Sequence, residues 1–184
     1  LAPDHVYVPE ESVEAFAGHA VAAVGAMYPA LKENPGYTSI VNARHHARVQ
    51  GLVDDARAKG ARIVEINPAA ENFSQQPAHR IPPTLILDPS EDMRVLQEEI
   101  FGPVLPVLAY RDIADVIDRI NARPRPLALY YFSQDGEEEA RVLDNTTSGG
   151  VTVNDCMSHV TAEGLPFGGV GHSGMGAYHG KFGF

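Results

Sequence analysis

The sequence has a single cysteine and comparatively few cationic side chains, and each scarcity excludes a class of protein. One cysteine, Cys156, cannot form an internal disulfide framework, which fits a protein of a reducing compartment. With 14 Lys and Arg against 24 Asp and Glu, the formal net charge is -10. A surface that binds nucleic acid phosphates would have to form against this overall field, so we expect no nucleic acid partner.

Long apolar stretches are missing as well. No run approaches the ~20 apolar residues that a membrane-spanning helix needs, and the N-terminus shows no basic and then apolar leader. These absences predict a cytoplasmic protein without a membrane partner. The remaining composition is globular, because 44% of the 184 residues are hydrophobic and 21% are charged, which favours one domain with its own core.

Two hydrophobic periodicities alternate along the chain. Runs rich in β-branched and aromatic residues predict strands at ARIVEI (61 to 66, expected to be buried), VLPVLAY (104 to 110), LALYYFS (127 to 133) and GGVTVND (149 to 155). Spacings of three and four predict amphipathic helices, including one from about Ala43 to Lys59 that Gly60 ends. Because strand and helix alternate, we predict an α/β fold with a mainly parallel sheet and crossover helices.

The glycine-rich tail contains a literal GxGxxG motif from Gly169 to Gly174. A dinucleotide-binding fingerprint needs a preceding strand, a following helix and a complete βαβ unit, but only ten residues follow Gly174. We therefore interpret the tail as a loop whose backbone passes close to a neighbour, with Phe167 as its one large apolar side chain.

Histidine and cysteine could carry chemistry of their own. None of the eight histidines stands in a metal-binding pattern, so we predict no metal site. Cys156 and His159 are close enough in sequence to act as the nucleophile and base of a cysteine hydrolase. The alternative is an inert thiol beside a strand end, because a lone cysteine usually behaves as a small hydrophobic residue.

The segment LQEEIFGPVLPV (96 to 107) places two acids, Glu98 and Glu99, ahead of Phe101 and a Gly-Pro turn. Such a turn fixes where an acid points, and a pre-aimed carboxylate is a good acceptor for a pair of ribose hydroxyls. Two acids at a solvated helix end would equally make an ordinary surface. The residues alone leave both interpretations open.

Three ordered segments, QEEIFGPV, GGVTVND and LPFGGVGHSGMGAYHGKFGF, resemble the C-terminal half of the aldehyde dehydrogenase superfamily. The resemblance is closest to the branch of the class 3 and coniferyl aldehyde dehydrogenases. In that family, LAPDHVYV follows directly after the nucleophilic cysteine. The resemblance thus implies that residues 1–184 are a fragment of the catalytic domain, that the nucleophile lies just before Leu1, and that the cofactor-binding domain is absent from the chain.

The resemblance also implies the chemistry. Family members oxidise an aldehyde to the carboxylic acid through a cysteine thiohemiacetal and thioester, with NAD or NADP as cofactor. Glu99 matches the family residue that accepts hydrogen bonds from the nicotinamide-side ribose, and Phe101 matches the aromatic residue near the nicotinamide. Glu98 is expected to be solvated. No catalytic residue is expected in this chain, so the fragment alone should be inactive.

Phe167 and His159 match positions of the family's substrate pocket, where an apolar lining would favour hydrophobic or aromatic aldehydes. Asn154 is expected to fix the backbone ahead of the pocket loop. His45 and Arg48 fall where other branches contact the adenosine-side ribose, but this branch departs there, so no role is assigned to them. Because family members assemble by strand addition, a homodimer is expected, and a non-catalytic oligomerisation module is the other alternative.

Overall fold

The computed structural model describes residues 2–74, 76 and 78–184, which divide into two compact units. One unit is Asp4–Ala109, and the other is Tyr110–Phe184 with the short stretch that ends at Pro3. The strands are β1 (Val6–Pro9), β2 (Arg62–Glu65), β3 (Thr84–Leu87), β4 (Val104–Tyr110), β5 (Ala128–Tyr131) and β6 (Gly150–Val153). The helices are α1 (Val13–Met27), α2 (Ala43–Ala58), α3 (Ile113–Asn121), α4 (Gly136–Asn145) and α5 (Ser158–Thr161).

The sheet of the first unit has the strand order β1-β4-β3-β2. Strand β3 runs parallel to β4, with Thr84 opposite Val104, whereas β2 and β3 are antiparallel. The described residues between β2 and β3 form no crossover helix, and an antiparallel pair does not need one. The predicted α/β class with parallel pairing and helices is therefore confirmed, with β2 as an antiparallel exception.

Helices cover both faces of this sheet. Leu85 and Leu87 pack toward α1, and Ile86 between them packs toward the fully buried face of α2. The alternation follows from the period of two in a strand, and cover on both faces explains why all four residues of β3 are buried. ARIVEI forms β2 as predicted, but the expectation that it is buried is wrong, because β2 stands at the end of the sheet and its terminal residues are exposed.

The second unit is built around the parallel pair β5 and β6, with Ala128 opposite Gly150. Helix α4 makes the crossover between them and packs against α3. The carboxylate of Asp135 caps α4 by accepting hydrogen bonds from the amides of Glu137 and Glu138. Within the described residues, no helix is both long and apolar enough to cross a membrane.

Candidate functional site

The segment that carries Glu99 is held through its backbone. The guanidinium of Arg48, on α2, donates hydrogen bonds to the carbonyl of Glu99 at 2.8 Å and to the carbonyl of Ile100. The carboxylate of Asp4 accepts a hydrogen bond from the amide of Ile100 at 3.1 Å, and the Ile100 side chain is buried. These contacts fix the path of the chain without using the carboxylate of Glu99.

The turn after Ile100 presses closely onto α2. Phe101 has a φ of +47°, a left-handed conformation that is uncommon for a residue with a side chain. A Cβ added at Gly102 would lie 2.8 Å from a γ-carbon of Val49, so only glycine allows this approach. The carbonyl of Pro103 accepts a hydrogen bond from Thr84, which leads the turn into the sheet beside β3. The side chain of Phe101 is left 79% exposed.

A cavity of about 700 Å³ lies against this turn. Its walls are the loop of residues 37–41, the first part of α2 and the turn of residues 99–103. Glu99 and Phe101 both line it, together with His45 and Arg48. The structure thus brings two of the four predicted site residues to one cavity, of a size that small-molecule ligands commonly occupy.

The two adjacent acids differ in their surroundings. Glu98 accepts a hydrogen bond from Nε of Arg94 at 2.8 Å, and this bond holds the pKa of Glu98 below its usual range. The carboxylate of Glu98 is partly exposed to solvent, as expected, and is in addition ion-paired with Arg94. In the described part of the chain, no donor bonds to the carboxylate of Glu99, which is exposed on the cavity wall. Glu99 can accept hydrogen bonds from a ligand.

A hydrogen-bond network that the sequence did not reveal supports the opposite wall of the cavity. The hydroxyl of Tyr37 donates to the carbonyl of Ile81 at 2.6 Å, and burial raises the pKa of Tyr37. The carboxylate of Glu71 accepts from the amide of Leu31 at 2.6 Å, and Arg80 donates to the carbonyl of Leu31. The residues of each pair are 40 to 49 positions apart in sequence, so no local pattern could have indicated the contact.

Phe167 and His159 belong to the second unit, where an aromatic group surrounds Phe167. We call it the ring cluster and define it as Tyr130, His159, Phe167, Tyr178 and His179. The ring centroids of His159 and Phe167 are 6.0 Å apart. The backbones of Phe167 and Tyr178 are joined by two hydrogen bonds, of 2.8 and 2.9 Å, which fix the backbone position of Phe167. The structure therefore brings the two predicted pocket residues into one cluster.

His159 is buried, with 8% of its surface exposed. Its Nδ1 lies 2.8 Å from the hydroxyl oxygen of Thr152, and its Nε2 is buried without a hydrogen-bond partner in the described part of the chain. Burial lowers the pKa of His159, which favours the neutral ring. A Cβ added at Gly150 would lie 2.5 Å from Cδ2 of His159, so the ring rests directly on the backbone of β6. His159 thus supports Phe167 from within the unit.

Asn154 joins the ends of the two parallel strands of this unit. Its Oδ1 accepts a hydrogen bond from the amide of Ser133 at 3.0 Å, and its Nδ2 donates to the carbonyl of Ser133 at 2.9 Å. It does so with a φ of +55°, a conformation that asparagine tolerates better than most residues. The expectation that Asn154 fixes the backbone is confirmed.

The environment of Cys156 does not favour a thiolate. The side chain is exposed, and partial desolvation together with the nearby charge of Asp155 raises the pKa of Cys156. Nδ1 of His159 is engaged by Thr152, and its Nε2 has no hydrogen-bond partner among the described residues, so neither ring nitrogen bonds to the thiol. This geometry gives no support to the cysteine hydrolase hypothesis. Among the described residues, no group of three or more His, Cys, Asp or Glu side chains is arranged to hold a metal ion.

The GxGxxG segment folds as a tight loop around a short 3-10 turn, Gly171–Ser173. The hydroxyl of Ser173 accepts a hydrogen bond from the amide of Val170 at 2.9 Å. A Cβ added at Gly168 would lie 2.1 Å from the carbonyl oxygen of Gly176, so the tail folds back on itself as closely as glycine permits. This is the close backbone approach that the sequence predicted, and it differs from the strand-turn-helix geometry of a dinucleotide-binding fingerprint.

Comparison with curated proteins gives relatives that match along the whole chain. A probable coniferyl aldehyde dehydrogenase of Caulobacter vibrioides is 61% identical over 184 residues, which are 100% of this chain and 38% of that protein. A coniferyl aldehyde dehydrogenase of Pseudomonas sp. strain HR199 is 55% identical, with the same coverage of both chains. The chain therefore spans well under half the length of these relatives.

Solved structures show the same fold. AldH of Staphylococcus aureus in a substrate-bound state superposes with a TM-score of 0.89 at 37% identity, covering 100% of this chain and 39% of that one. A mutant of aldehyde dehydrogenase C of Pseudomonas syringae in complex with NAD+ and octanal has a TM-score of 0.82 at 26% identity. The match covers 99% of this chain and 37% of that one. The model of the aldehyde dehydrogenase family matches residues 1–184. The chain belongs to the aldehyde dehydrogenase family.

Proposed function

We propose that this chain is the C-terminal catalytic part of an NAD- or NADP-dependent aldehyde dehydrogenase that oxidises an apolar aromatic aldehyde of the coniferyl type to the carboxylic acid. The observation that carries the proposal is the carboxylate of Glu99, held by backbone contacts at the wall of a cavity and free to accept hydrogen bonds. The names of the two relatives with 61% and 55% identity support the coniferyl-type substrate.

The donor and acceptor groups at the Glu99 cavity fit the ribose and ring of a nicotinamide cofactor. When bound, NAD+ or NADP+ supplies the hydride acceptor. Glu99 would accept hydrogen bonds from hydroxyls of the nicotinamide-side ribose, and the exposed ring of Phe101 would pack beside the nicotinamide. Arg48 contributes by holding the segment, because its guanidinium is engaged by the carbonyls of Glu99 and Ile100.

On the substrate side, Phe167 forms an aromatic wall of the aldehyde pocket. Its ring is half-buried and supported by other rings, so one part of it remains available for contact. An apolar wall favours an aromatic, unhydrated aldehyde over a hydrated one, because burial of polar hydroxyls without partners is costly. His159 lies behind Phe167 and supports it.

The covalent chemistry is assigned to residues outside this chain. The family reaction needs a reactive thiolate, and the raised pKa of Cys156 makes that residue unsuited to the task. We expect the isolated 184-residue chain to be inactive and the longer enzyme that contains it to be active. The chain matches about 38% of its relatives' length, which supports this expectation.

The enzyme is further proposed to be a cytoplasmic homodimer. The single cysteine fits a reducing compartment, and β2 stands at the end of its sheet, where a strand of a second subunit can add. Sedimentation of the full-length enzyme is expected to give the mass of a dimer. A clean monomer at working concentrations would contradict the homodimer and leave the proposed reaction standing.

The cofactor role of Glu99 is tested by replacing each acid of the pair in the full-length enzyme. Glu99→Gln keeps the shape of the side chain and removes its charge, and it should weaken cofactor binding by roughly tenfold or more. Glu98→Gln is the matched control, because Glu98 bonds to Arg94 and is not part of the cavity wall. The dissociation constants of NAD+ and NADP+ are measured by calorimetry, and coniferyl aldehyde oxidation is followed by absorbance.

Two results would overturn the proposal separately. Equal effects of Glu99→Gln and Glu98→Gln on cofactor binding would remove the assigned role of Glu99. Failure of the full-length enzyme to oxidise coniferyl aldehyde or any other aromatic aldehyde with either cofactor would remove the proposed reaction.

A further inference from the structure

His179 lies outside the GxGxxG motif and has no role in the proposed reaction. Its backbone has φ +96° and ψ +129°, a conformation that residues with a Cβ rarely adopt and that glycine accepts readily. Glycine would adopt this conformation without strain, but the glycine stands at the next position, Gly180, and a histidine stands at 179. A histidine held in such a conformation needs a compensating interaction from its side chain.

The compensating interaction is aromatic. The imidazole of His179 stacks on the ring of Phe167, with centroids 5.8 Å apart and an interplanar angle of 29°. It also meets the ring of Tyr178 edge to face at 4.9 Å. Its Nδ1 is buried and has no hydrogen-bond partner among the described residues. Polar contacts at Nδ1 therefore do not hold the ring, and its contacts with the rings of Phe167 and Tyr178 keep it in place.

Phe167 is constrained in turn by its neighbours. Its backbone is paired with Tyr178, and its ring contacts His159, which is anchored to Thr152 by a hydrogen bond of 2.8 Å. His159 and β6 are thus a fixed support, whereas His179 sits in the glycine-rich tail. The Phe167 ring is thus contacted by the rings of His159, Tyr178 and His179, while its backbone pairs with Tyr178.

We propose that His179 is a specificity-determining positioning residue, whose stacked imidazole sets the orientation of Phe167 and thereby selects aromatic aldehydes. The proposal rests on the proposed function, because Phe167 must line the aldehyde pocket for its orientation to matter. His179 does not touch the reacting atoms in this account. It acts through the ring that it supports.

The test compares three variants of the full-length enzyme. His179→Gly removes the ring and relieves the unusual backbone conformation, His179→Phe keeps a stacking ring without nitrogen, and His172→Ala is the control. His172 lies in the same tail, is exposed and makes no ring contact within the described residues. For each, kcat and KM are measured with coniferyl aldehyde and with propanal, and the melting temperature is recorded.

His179→Gly should lower the ratio of kcat/KM for coniferyl aldehyde to that for propanal by roughly tenfold, mainly through KM, because a pocket wall has moved. Its melting temperature should stay close to that of the wild type, since the backbone conformation suits glycine. His179→Phe should recover most of the ratio, and His172→Ala should leave it unchanged. A role in stability alone would lower the melting temperature without this selective change.

The proposal is overturned if His179→Gly keeps the wild-type ratio, or if His179→Phe fails to recover it. A crystal structure of the His179→Gly enzyme gives a readout that needs no activity, and Phe167 is expected to turn or to become disordered. An unmoved Phe167 ring would also overturn the proposal. If His179→Gly does not fold, the proposal is tested by His179→Phe alone, which must keep most of the wild-type ratio and the orientation of the Phe167 ring. A wild-type enzyme that oxidises no aldehyde would instead refute the proposed function.

Discussion

The two candidate sites are held in place in different ways. The Glu99 segment is anchored through its backbone, by the guanidinium of Arg48 and the carboxylate of Asp4, so the side chains of Glu99 and Phe101 remain free for a ligand. In the ring cluster, the side chains themselves are the support. The difference indicates that functional side chains can be replaced singly in the first site, whereas a change to one ring in the second alters its neighbours.

The largest effect is expected from breaking the backbone anchor with Arg48→Ala. Loss of both hydrogen bonds to the carbonyls of Glu99 and Ile100 should reduce the free energy of unfolding by about 2–3 kcal/mol and release the segment. Cofactor affinity should fall with it. Arg44→Ala, one turn earlier on α2 and exposed, is the control. Chemical denaturation and calorimetry measure both quantities, and equal results for the two variants would contradict the anchor.

A smaller effect is expected from overpacking the ring cluster with Gly150→Ala. The new methyl group would lie 2.5 Å from Cδ2 of buried His159, so the ring must shift, at a cost of about 1–2 kcal/mol. Because His159 contacts Phe167, the preference for aromatic over aliphatic aldehydes should also decrease. The control is Gly164→Ala, where an added Cβ meets nothing within 4 Å. Unchanged specificity in Gly150→Ala would show that the rings are not coupled.

The smallest effect on stability is expected from lowering the pH. Because burial lowers the pKa of His159 in the folded protein, the unfolded chain binds a proton that the folded protein does not. The contribution of His159 to stability is therefore fully present above its ordinary pKa of about 6.5 and decreases as the pH falls through that value toward the folded pKa. His159→Phe should flatten this part of the profile of melting temperature against pH. An identical slope in both proteins would rule His159 out as the cause.

Much of the fold follows from local patterns. The run VLPVLAY forms β4 with the predicted bounds, and the helix expected from about Ala43 to Lys59 is α2, Ala43–Ala58. Both are long enough for their apolar spacing to identify a face or a run. ARIVEI shows the limit of the method, because its composition suits a buried strand and only the strand order shows that it stands at an end of the sheet.

The candidate site was predictable in part. The family resemblance of three ordered motifs indicated Glu99, Phe101, Phe167 and His159. The structure brings Glu99 and Phe101 to one cavity and Phe167 and His159 to one cluster, and their roles stay predictions. His179 and the network of Glu71 and Arg80 could not be found in this way. Glu71 and Arg80 bind a segment that is distant in sequence, and His179 is notable for its backbone angles. Neither property leaves a local pattern in the sequence.

By itself, the sequence determined the class of fold, the family and the close backbone approaches of its glycines, because these depend on residue type and spacing along the chain. Only the tertiary structure decided that Glu98 is paired while Glu99 is free, and that His159 is buried beside Phe167. The physical reason is that ion pairing, burial and ring stacking depend on distances in space. Folding sets those distances, even for residues as close in the chain as Arg94 and Glu98.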